Sequence, residues 1–373
     1  MENLLKTALV HDWLLSHGGA EEVLRALYSL FPSDVFTLAK DPSVVSRYQF
    51  PLEKVHSSFI EKFPSVHKYY KYYLPLFPLA IEQFDMSEYD TIISSSHCVA
   101  KGVLTSHEQL HFSYCHSPMR YAWDLYHEYL KNAKLERGVK GWFAQMFLHK
   151  LRMWDFASSQ RVDHFIANSH YIARRIKKVY GRDSTVIYPP VNTEKFAFEQ
   201  RKEDYYVTAS RLVPYKKVDL IVQAFNNMPS KKLIVIGSGD ELEKLQAIAQ
   251  PNVTLLGFVE TDEMKQYFQN AKGFLFAALE DFGILPIEAQ SCGTPVICLG
   301  RGGTKETVID GKTGVHFEQQ SADAIQKAVE YFETQTFDPF EVREHAMQFS
   351  DSRFKAEIAS FVSEKYEAFL NTR

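Results

Sequence analysis

Residues 271–303 read AKGFLFAALEDFGILPIEAQSCGTPVICLGRGG, a succession of strand, loop, helix and strand. GFLFAA is a short apolar run of strand type. PIEAQSC has helical spacing with Pro286 where a first-turn proline belongs, and PVICLG is apolar and strand-like again. Open α/β sheets bind ligands at the carboxyl ends of their strands, where a helix N-terminus offers free N–H groups and partial positive charge to a phosphate. The loop through Phe282, Gly283 and Ile284 stands at that place in the pattern. Two carboxylates frame it, Glu280 after the strand and Glu288 inside the early helix. Acids so placed contribute only about 0.3–1 kcal/mol through the macrodipole. The functional alternative has Glu280 looking across a crevice at a polar group and Glu288 accepting hydrogen bonds from a pair of hydroxyls.

Outward from this stretch the same alternation continues. DYYVTAS, KKLIVIGS and VTLLGF are further strands, interleaved with helical segments such as VDLIVQAFNNM and ADAIQKAVEYF, so the C-terminal half is a doubly wound domain. SRLVPYKK sets Arg211 and Lys216 just beyond a strand, where two cations are either solvated surface charges or anion ligands. IGSGDELEKL carries a glycine turn at Gly237 and Gly239. It lacks the third glycine of a dinucleotide fingerprint, since Leu242 stands there, and a dehydrogenase is a poor reading.

The N-terminal half opens in the same way, with a strand at Thr7–Val10 and a turn at Gly18 and Gly19. A helix with Val23, Ala26, Leu27 and Leu30 on one face follows. Glycine in such a turn lets the backbone approach a ligand that a Cβ would hold off. VFTLA, YDTIISSS and HFSYCHS are later strands, and His116 falls just past the last of them, either as a satisfied structural ring or as a ligand group. Residues 59–84, FIEKFPSVHKYYKYYLPLFPLAIEQF, interleave aromatics with His67, Lys68 and Lys71. They form either a pair of helices packed on the core or an interfacial, lipid-acceptor surface. A second aromatic, basic stretch, residues 141–156, has helical spacing and either packs on the sheet, the favoured reading, or joins the first at a membrane surface. Ser169 is the N-cap expected for the helix after DHFIAN.

Composition sets bounds on these readings. The chain has 373 residues, 45% hydrophobic and 24% charged, enough for about two domains. Its net charge of −4 leaves no general electrostatic footprint for nucleic acid. Four cysteines without C-x2-C spacing suggest reduced, buried thiols and a cytoplasmic location, peripheral at the inner face of the membrane if residues 59–84 meet lipid. The patch TALVHDWLL is interrupted by His11 and Asp12, lacks a small-residue cleavage site and is far shorter than the roughly 20 residues a membrane span needs.

EDFGILPIEAQSCGTPVI closely resembles the donor-site signature of family-4 retaining glycosyltransferases, and GRGGTKETVIDGKTGVHF is similar to the glycine pair, glutamate and turn that follow it. IANS and VIYPPVNTEKF resemble the motifs that close the family's first domain, with PP in place of the usual NG. The resemblance implies a GT-B fold, two Rossmann-like doubly wound domains facing across a cleft. The expected boundaries are 1–193, a linker at 194–204 where the sequence becomes charged and loses hydrophobic periodicity, a nucleotide-sugar domain at 205–350 and a helix at 351–373 crossing back. It implies a nucleotide-sugar donor, with Arg211 and Lys216 on the diphosphate and Lys217 in place of the customary glycine. Gly237 and Gly239 would lie near the nucleotide, Gly18 and Gly19 facing the donor phosphates and acceptor, and His116 and Glu280 on the sugar. Glu288 would bind the ribose, and the backbone near Phe282, Gly283 and Ile284 the phosphates.

The activity so implied is retaining sugar transfer to a glycan or lipid-linked acceptor, with no cofactor and, in the absence of a suitable D-x-D motif, no metal. The string FGILPIEAQSCGTPVICLGRGGTKETV looks most like members that transfer mannose from GDP-mannose in surface-polysaccharide or lipopolysaccharide assembly. A sugar-nucleotide epimerase or hydrolase and a non-catalytic sugar-nucleotide-binding subunit are the alternatives.

Overall fold

In the computed structural model, which describes residues 6–371, every named strand pairing is parallel. Parallel strands need crossover connections, and the helices in those crossovers cover both faces of the sheet. The strand sequences follow from that burial, as β-rich runs such as TIISSS and GFLF are buried along their whole length.

The chain divides into two units, one running to Pro189 and resuming at Lys355, the other Pro190–Phe354. The first holds β1 (Thr7–His11), β2 (Asp34–Thr37), β3 (Val55–Ser57), β4 (Thr91–Ser96), β5 (Leu110–Cys115), β6 (His164–Ala167) and β7 (Ser184–Val186), in the order β3-β2-β1-β4-β5-β6-β7. The second holds β8 (Tyr206–Ala209), β9 (Leu233–Ile236), β10 (Val253–Gly257), β11 (Gly273–Phe276), β12 (Val296–Leu299) and β13 (Gly314–Phe317), in the order β10-β9-β8-β11-β12-β13. β3, β7 and β13 were not expected from the sequence. Each has only three or four residues at a sheet edge and gives too little periodicity to register.

Residues 194–204, read as a linker from their charge, are built onto the second unit. Phe196 is buried and stacks on Phe268, and Lys202 Nζ donates to Gln269 O, Cys292 O and Thr294 Oγ1. The Asp351–Leu370 helix belongs to the first unit from Lys355 onward, where its Phe361 packs against Phe112 and His164. Ser169 caps the His170–Tyr180 helix, its Oγ accepting from Ile172 N at 3.1 Å. All four cysteines are free and buried. No helix among the described residues is long and apolar enough to cross a membrane.

Residues 59–84 form short helical pieces, Phe59–Lys62, Val66–Tyr69, Tyr70–Leu76 and Phe77–Glu82. Ile60, Val66, Phe77, Ala80 and Ile81 enter the core while Tyr72 and Leu79 stay exposed. The Gly138–Ser159 helix packs on the same core cluster through Leu151, Phe147, Leu148 and Trp154. Its buried Asp155 is a polar node: it pairs with buried Lys101 and accepts from Trp123 Nε1 at 2.7 Å and Tyr180 Oη at 2.9 Å.

Removing one partner of a buried ion pair strands the other charge, at a cost of about 3–5 kcal/mol. Asp155→Ala is therefore expected to lower stability by that amount in urea denaturation followed by tryptophan fluorescence. Lys177→Ala, which breaks the exposed Lys177–Asp183 pair, should change it by less than about 1 kcal/mol.

Candidate functional site

In an open parallel sheet the chain winds outward in two directions from one central strand pair, and the loops leaving that pair diverge at its carboxyl end. In the second unit this pair is β8 and β11. The loop after β8 carries Lys216, the loop after β11 carries Glu280, and Lys216 Nζ is ion-paired with Glu280 Oε1 across the divergence. The two side chains are only 15% and 19% exposed, and Lys216 Nζ lies 5.7 Å from the Phe276 ring centroid and 5.5 Å from that of Tyr215. Arg211 on the same loop is exposed and donates to Tyr215 Oη at 3.1 Å.

Glycines shape these loops by letting backbones touch. A Cβ on Gly237 would lie 1.8 Å from Ser210 O and one on Gly239 2.3 Å from Leu212 O, so the loops after β8 and β9 can stack only without those carbons. The same holds for Gly303, where a Cβ would stand 2.3 Å from Phe282 Cα. Gly303 N also donates to Glu280 O at 2.8 Å, which fixes the backbone beneath the carboxylate. Gly283, at φ 91°, turns the chain into the Ile284–Ser291 helix. Phe282 is buried edge-on against Phe349, so only its backbone can serve a ligand. Ile284 and Glu288 are half-buried and one turn apart on that helix. Lys217, the departure from glycine noted in the sequence, sits in the left-handed region at φ 57°, where a side chain is strained.

In the first unit the central pair is β1 and β4, and its end is lined by imidazoles and carboxylates. Asp12, buried after β1, accepts four backbone N–H bonds from the turn after β4: His97 at 2.7 Å, Cys98 at 2.9 Å, Val99 at 2.6 Å and Ala100 at 2.7 Å. His97 Nδ1 is 3.1 Å from the same carboxylate. Burial alone would raise the Asp12 pKa, but His97, His11 and these N–H bonds hold it below its ordinary value. His116, half-buried, places Nε2 2.8 Å from Ser95 Oγ, with its ring centroid 6.3 Å from that of His97. Burial, followed by the neighbouring His97 and His11, depresses the His116 pKa well below the usual imidazole value. Gly18 and Gly19 lead into the Gly19–Leu30 helix. A Cβ on Gly18 would meet Glu21 Oε2 at 3.0 Å, and buried Glu21 lies 3.9 Å from His11 Nε2.

Lys216, Glu280, the glycine loops and the Ile284–Ser291 N-terminus thus gather at the carboxyl edge of one sheet, and His116 and the Gly18–Gly19 turn at that of the other. Sequence reasoning missed Asp12 and His97. The signal was present, because SSSHC repeats the placement of SYCHS, a strand ending in a histidine. Among the described residues, no group of three or more His, Cys, Asp or Glu is arranged to hold a metal.

Residues 18–195 match the family model described as Glycosyltransferase Family 4, and residues 191–351 the model described as Glycosyl transferases group 1. A GDP-mannose-dependent alpha-(1-6)-phosphatidylinositol monomannoside mannosyltransferase of Mycolicibacterium smegmatis is 30% identical over 192 residues, 43% of this chain and 50% of that protein. A D-inositol 3-phosphate glycosyltransferase of Mycobacteroides abscessus is 29% identical, covering 44% of this chain and 43% of that one. The chain matches about half the length of such curated relatives.

Among solved structures, Anabaena HepE in complex with UDP aligns with a TM-score of 0.70 at 18% identity, covering 96% of this chain and 100% of that one. Sucrose-phosphate synthase from Thermosynechococcus elongatus aligns with a TM-score of 0.69 at 18% identity, covering 97% and 99%. The fold is of the GT-B type, two α/β units built on parallel sheets.

Lys217→Gly relieves the left-handed strain and is expected to raise stability by about 0.5–1 kcal/mol in urea denaturation. A pH dependence also follows from the buried imidazoles. His111, buried in β5 beside Ser94 Oγ and facing the Arg161 and Lys101 charges, has its pKa pushed down to about 3, chiefly by burial. His97 and His116 are lowered too, again first by burial. The unfolded chain takes up protons at these rings below about pH 6.5 while the folded chain does not. Stability should fall as pH drops from there, by up to about 1.4 kcal/mol per pH unit for each ring. Unfolding measured between pH 4 and 6.5 should show a slope smaller by about one such increment in His111→Gln.

Proposed function

We propose, from the relation of this chain to the family-4 and group-1 glycosyltransferases, that it is a retaining glycosyltransferase. It moves mannose from GDP-mannose to a glycan or lipid-linked glycan acceptor in cell-surface polysaccharide synthesis. The observation that carries the reading is the Lys216–Glu280 pair at the strand divergence of the second unit, beside a helix N-terminus and loops whose close packing glycine permits. As the glycosidic bond lengthens, the departing diphosphate oxygen gains negative charge. Lys216, Arg211 and the amides at Gly283 and Ile284 meet that charge, by preorganised electrostatics.

Glu280, already held near the cation, binds sugar hydroxyls and steadies positive charge at the sugar carbon, while Glu288 takes the ribose. Attack by the acceptor on the same face of the sugar retains configuration without a covalent enzyme intermediate. By the family resemblance, His116 is assigned to the sugar and the Gly18–Gly19 turn to the phosphates and the acceptor. The mannose donor is favoured because relatives such as the Mycolicibacterium smegmatis protein carry GDP-mannose in their names. Residues 59–84 stand as a lipid-facing surface on the acceptor side, with exposed Lys68 and Lys71 over the rings of Tyr69 and Tyr70.

Lys216→Ala and Glu280→Ala are each expected to reduce sugar transfer on the order of a hundredfold, measured by release of nucleoside diphosphate with a lipid-linked acceptor. Transfer at the wild-type rate in either variant would remove these residues from the mechanism. Calorimetry should show GDP binding more tightly than UDP, and the reverse order would overturn the choice of donor.

A further inference from the structure

We infer that the Gly138–Ser159 helix is an in-plane anchor that seats this protein on the anionic surface of a lipid bilayer. The helix is apolar on two sides. One side, with Phe147, Leu148, Leu151 and Trp154, packs on the core cluster of the first unit. The other presents Val139, Trp142, Phe143, Met146, Met153 and Phe156 to solvent, with Trp142 56%, Phe143 60% and Met153 61% exposed. At 3.6 residues per turn, Val139, Trp142, Phe143, Met146, Lys150 and Met153 fall along one stripe of the cylinder. A surface helix of a water-soluble domain ordinarily turns its polar face outward, so this reversal needs an apolar occupant.

Charge identifies the occupant. The helix carries Lys140, Lys150 and Arg152, and its sole acid, Asp155, is buried in the ion pair with Lys101. Lys150 lies inside the apolar stripe, where a long side chain can keep its ammonium at headgroup level while its methylenes lie along the acyl boundary. A tryptophan and two phenylalanines suit that boundary, and the 22 residues of the helix would lie along it for roughly 33 Å. The helix is not apolar enough to cross the membrane. The 59–84 segment, which packs into the same core cluster, adds exposed Tyr72 and Leu79 together with exposed Lys62, Lys68 and Lys71. This anchor is separate from the donor chemistry, and its test does not depend on sugar transfer.

The experiment is flotation of the full chain with vesicles of phosphatidylcholine alone or containing 30% phosphatidylglycerol. The wild type is expected to float with the anionic vesicles and to remain largely unbound with the neutral ones. Trp142→Glu/Phe143→Glu should reduce the bound fraction at least roughly tenfold, and so should Lys140→Glu/Lys150→Glu, since each basic residue near an anionic surface contributes about fivefold in affinity. All four residues are exposed, and unchanged thermal unfolding and nucleoside diphosphate binding would show each variant to be folded. Failure of the wild type to float, or equal flotation of folded variants, overturns the anchor. So does a concentration-dependent dimer, seen by light scattering, that Trp142→Glu/Phe143→Glu dissolves while vesicle binding persists unchanged. Loss of diphosphate binding in the wild type would instead count against the donor site and leave the anchor standing.

Discussion

In each unit the two loops that leave the central strand pair diverge, and a carboxylate bridges the gap between them. Asp12 does so in the first by collecting four amides from the turn after β4, and Glu280 does so in the second by holding Lys216 from the loop after β8. Buried amides left unpaired at such a gap would each cost on the order of 1–3 kcal/mol. The two closures are chemically unlike. Asp12 is buried and saturated by backbone donors, whereas Lys216 and Glu280 keep some access to solvent and are held to each other by a single contact. The first has the character of a fixed strut. The second can exchange its partner for an incoming anion and hydroxyls, which is what a ligand site requires.

Glycine supplies the other half of the arrangement. Gly237, Gly239 and Gly303 act through what is absent, since each lets two backbones approach more closely than any side chain permits. The result is a set of loops stacked tightly enough to hold Glu280 in place from beneath. Beside the expectation that Gly237 and Gly239 serve the nucleotide stands a structural role, because their closest approach is to the loop that bears Arg211 and Lys216.

Much of this was legible in the residues. The strand, loop, helix and strand of 271–303 appear as β11, the Glu280–Gly283 turn, the Ile284–Ser291 helix and β12, because a long apolar period with a proline in the first turn has few other solutions. Ser169 was readable as a cap from its type and position alone. The Lys216–Glu280 pair was not, since the partners are 64 residues apart and only the winding order of the sheet brings them together. The Asp12–His97 contact escaped for the same reason, its partners being 85 residues apart, although His97 itself ends a strand just as His116 does. Residues 194–204 misled by composition: a charged stretch reads as solvated, yet Lys202 turns its ammonium onto three oxygen acceptors and Phe196 enters the core. The Gly138–Ser159 helix was legible as a helix, with packing and a membrane face as alternatives, but periodicity could not reveal that its apolar residues serve two opposite faces.

The four cysteines bear on how this molecule can be handled. Each is buried, and burial pushes the Cys292 thiol up to about 12 and the Cys98 and Cys298 thiols well above their ordinary value. Only the thiolate is nucleophilic, so maleimides and iodoacetamides meet almost no reactive sulfur in the folded chain at neutral pH. A single cysteine introduced on the surface can then carry a fluorophore or spin label while the native thiols stay in place, and both units become open to spectroscopy without a cysteine-free background.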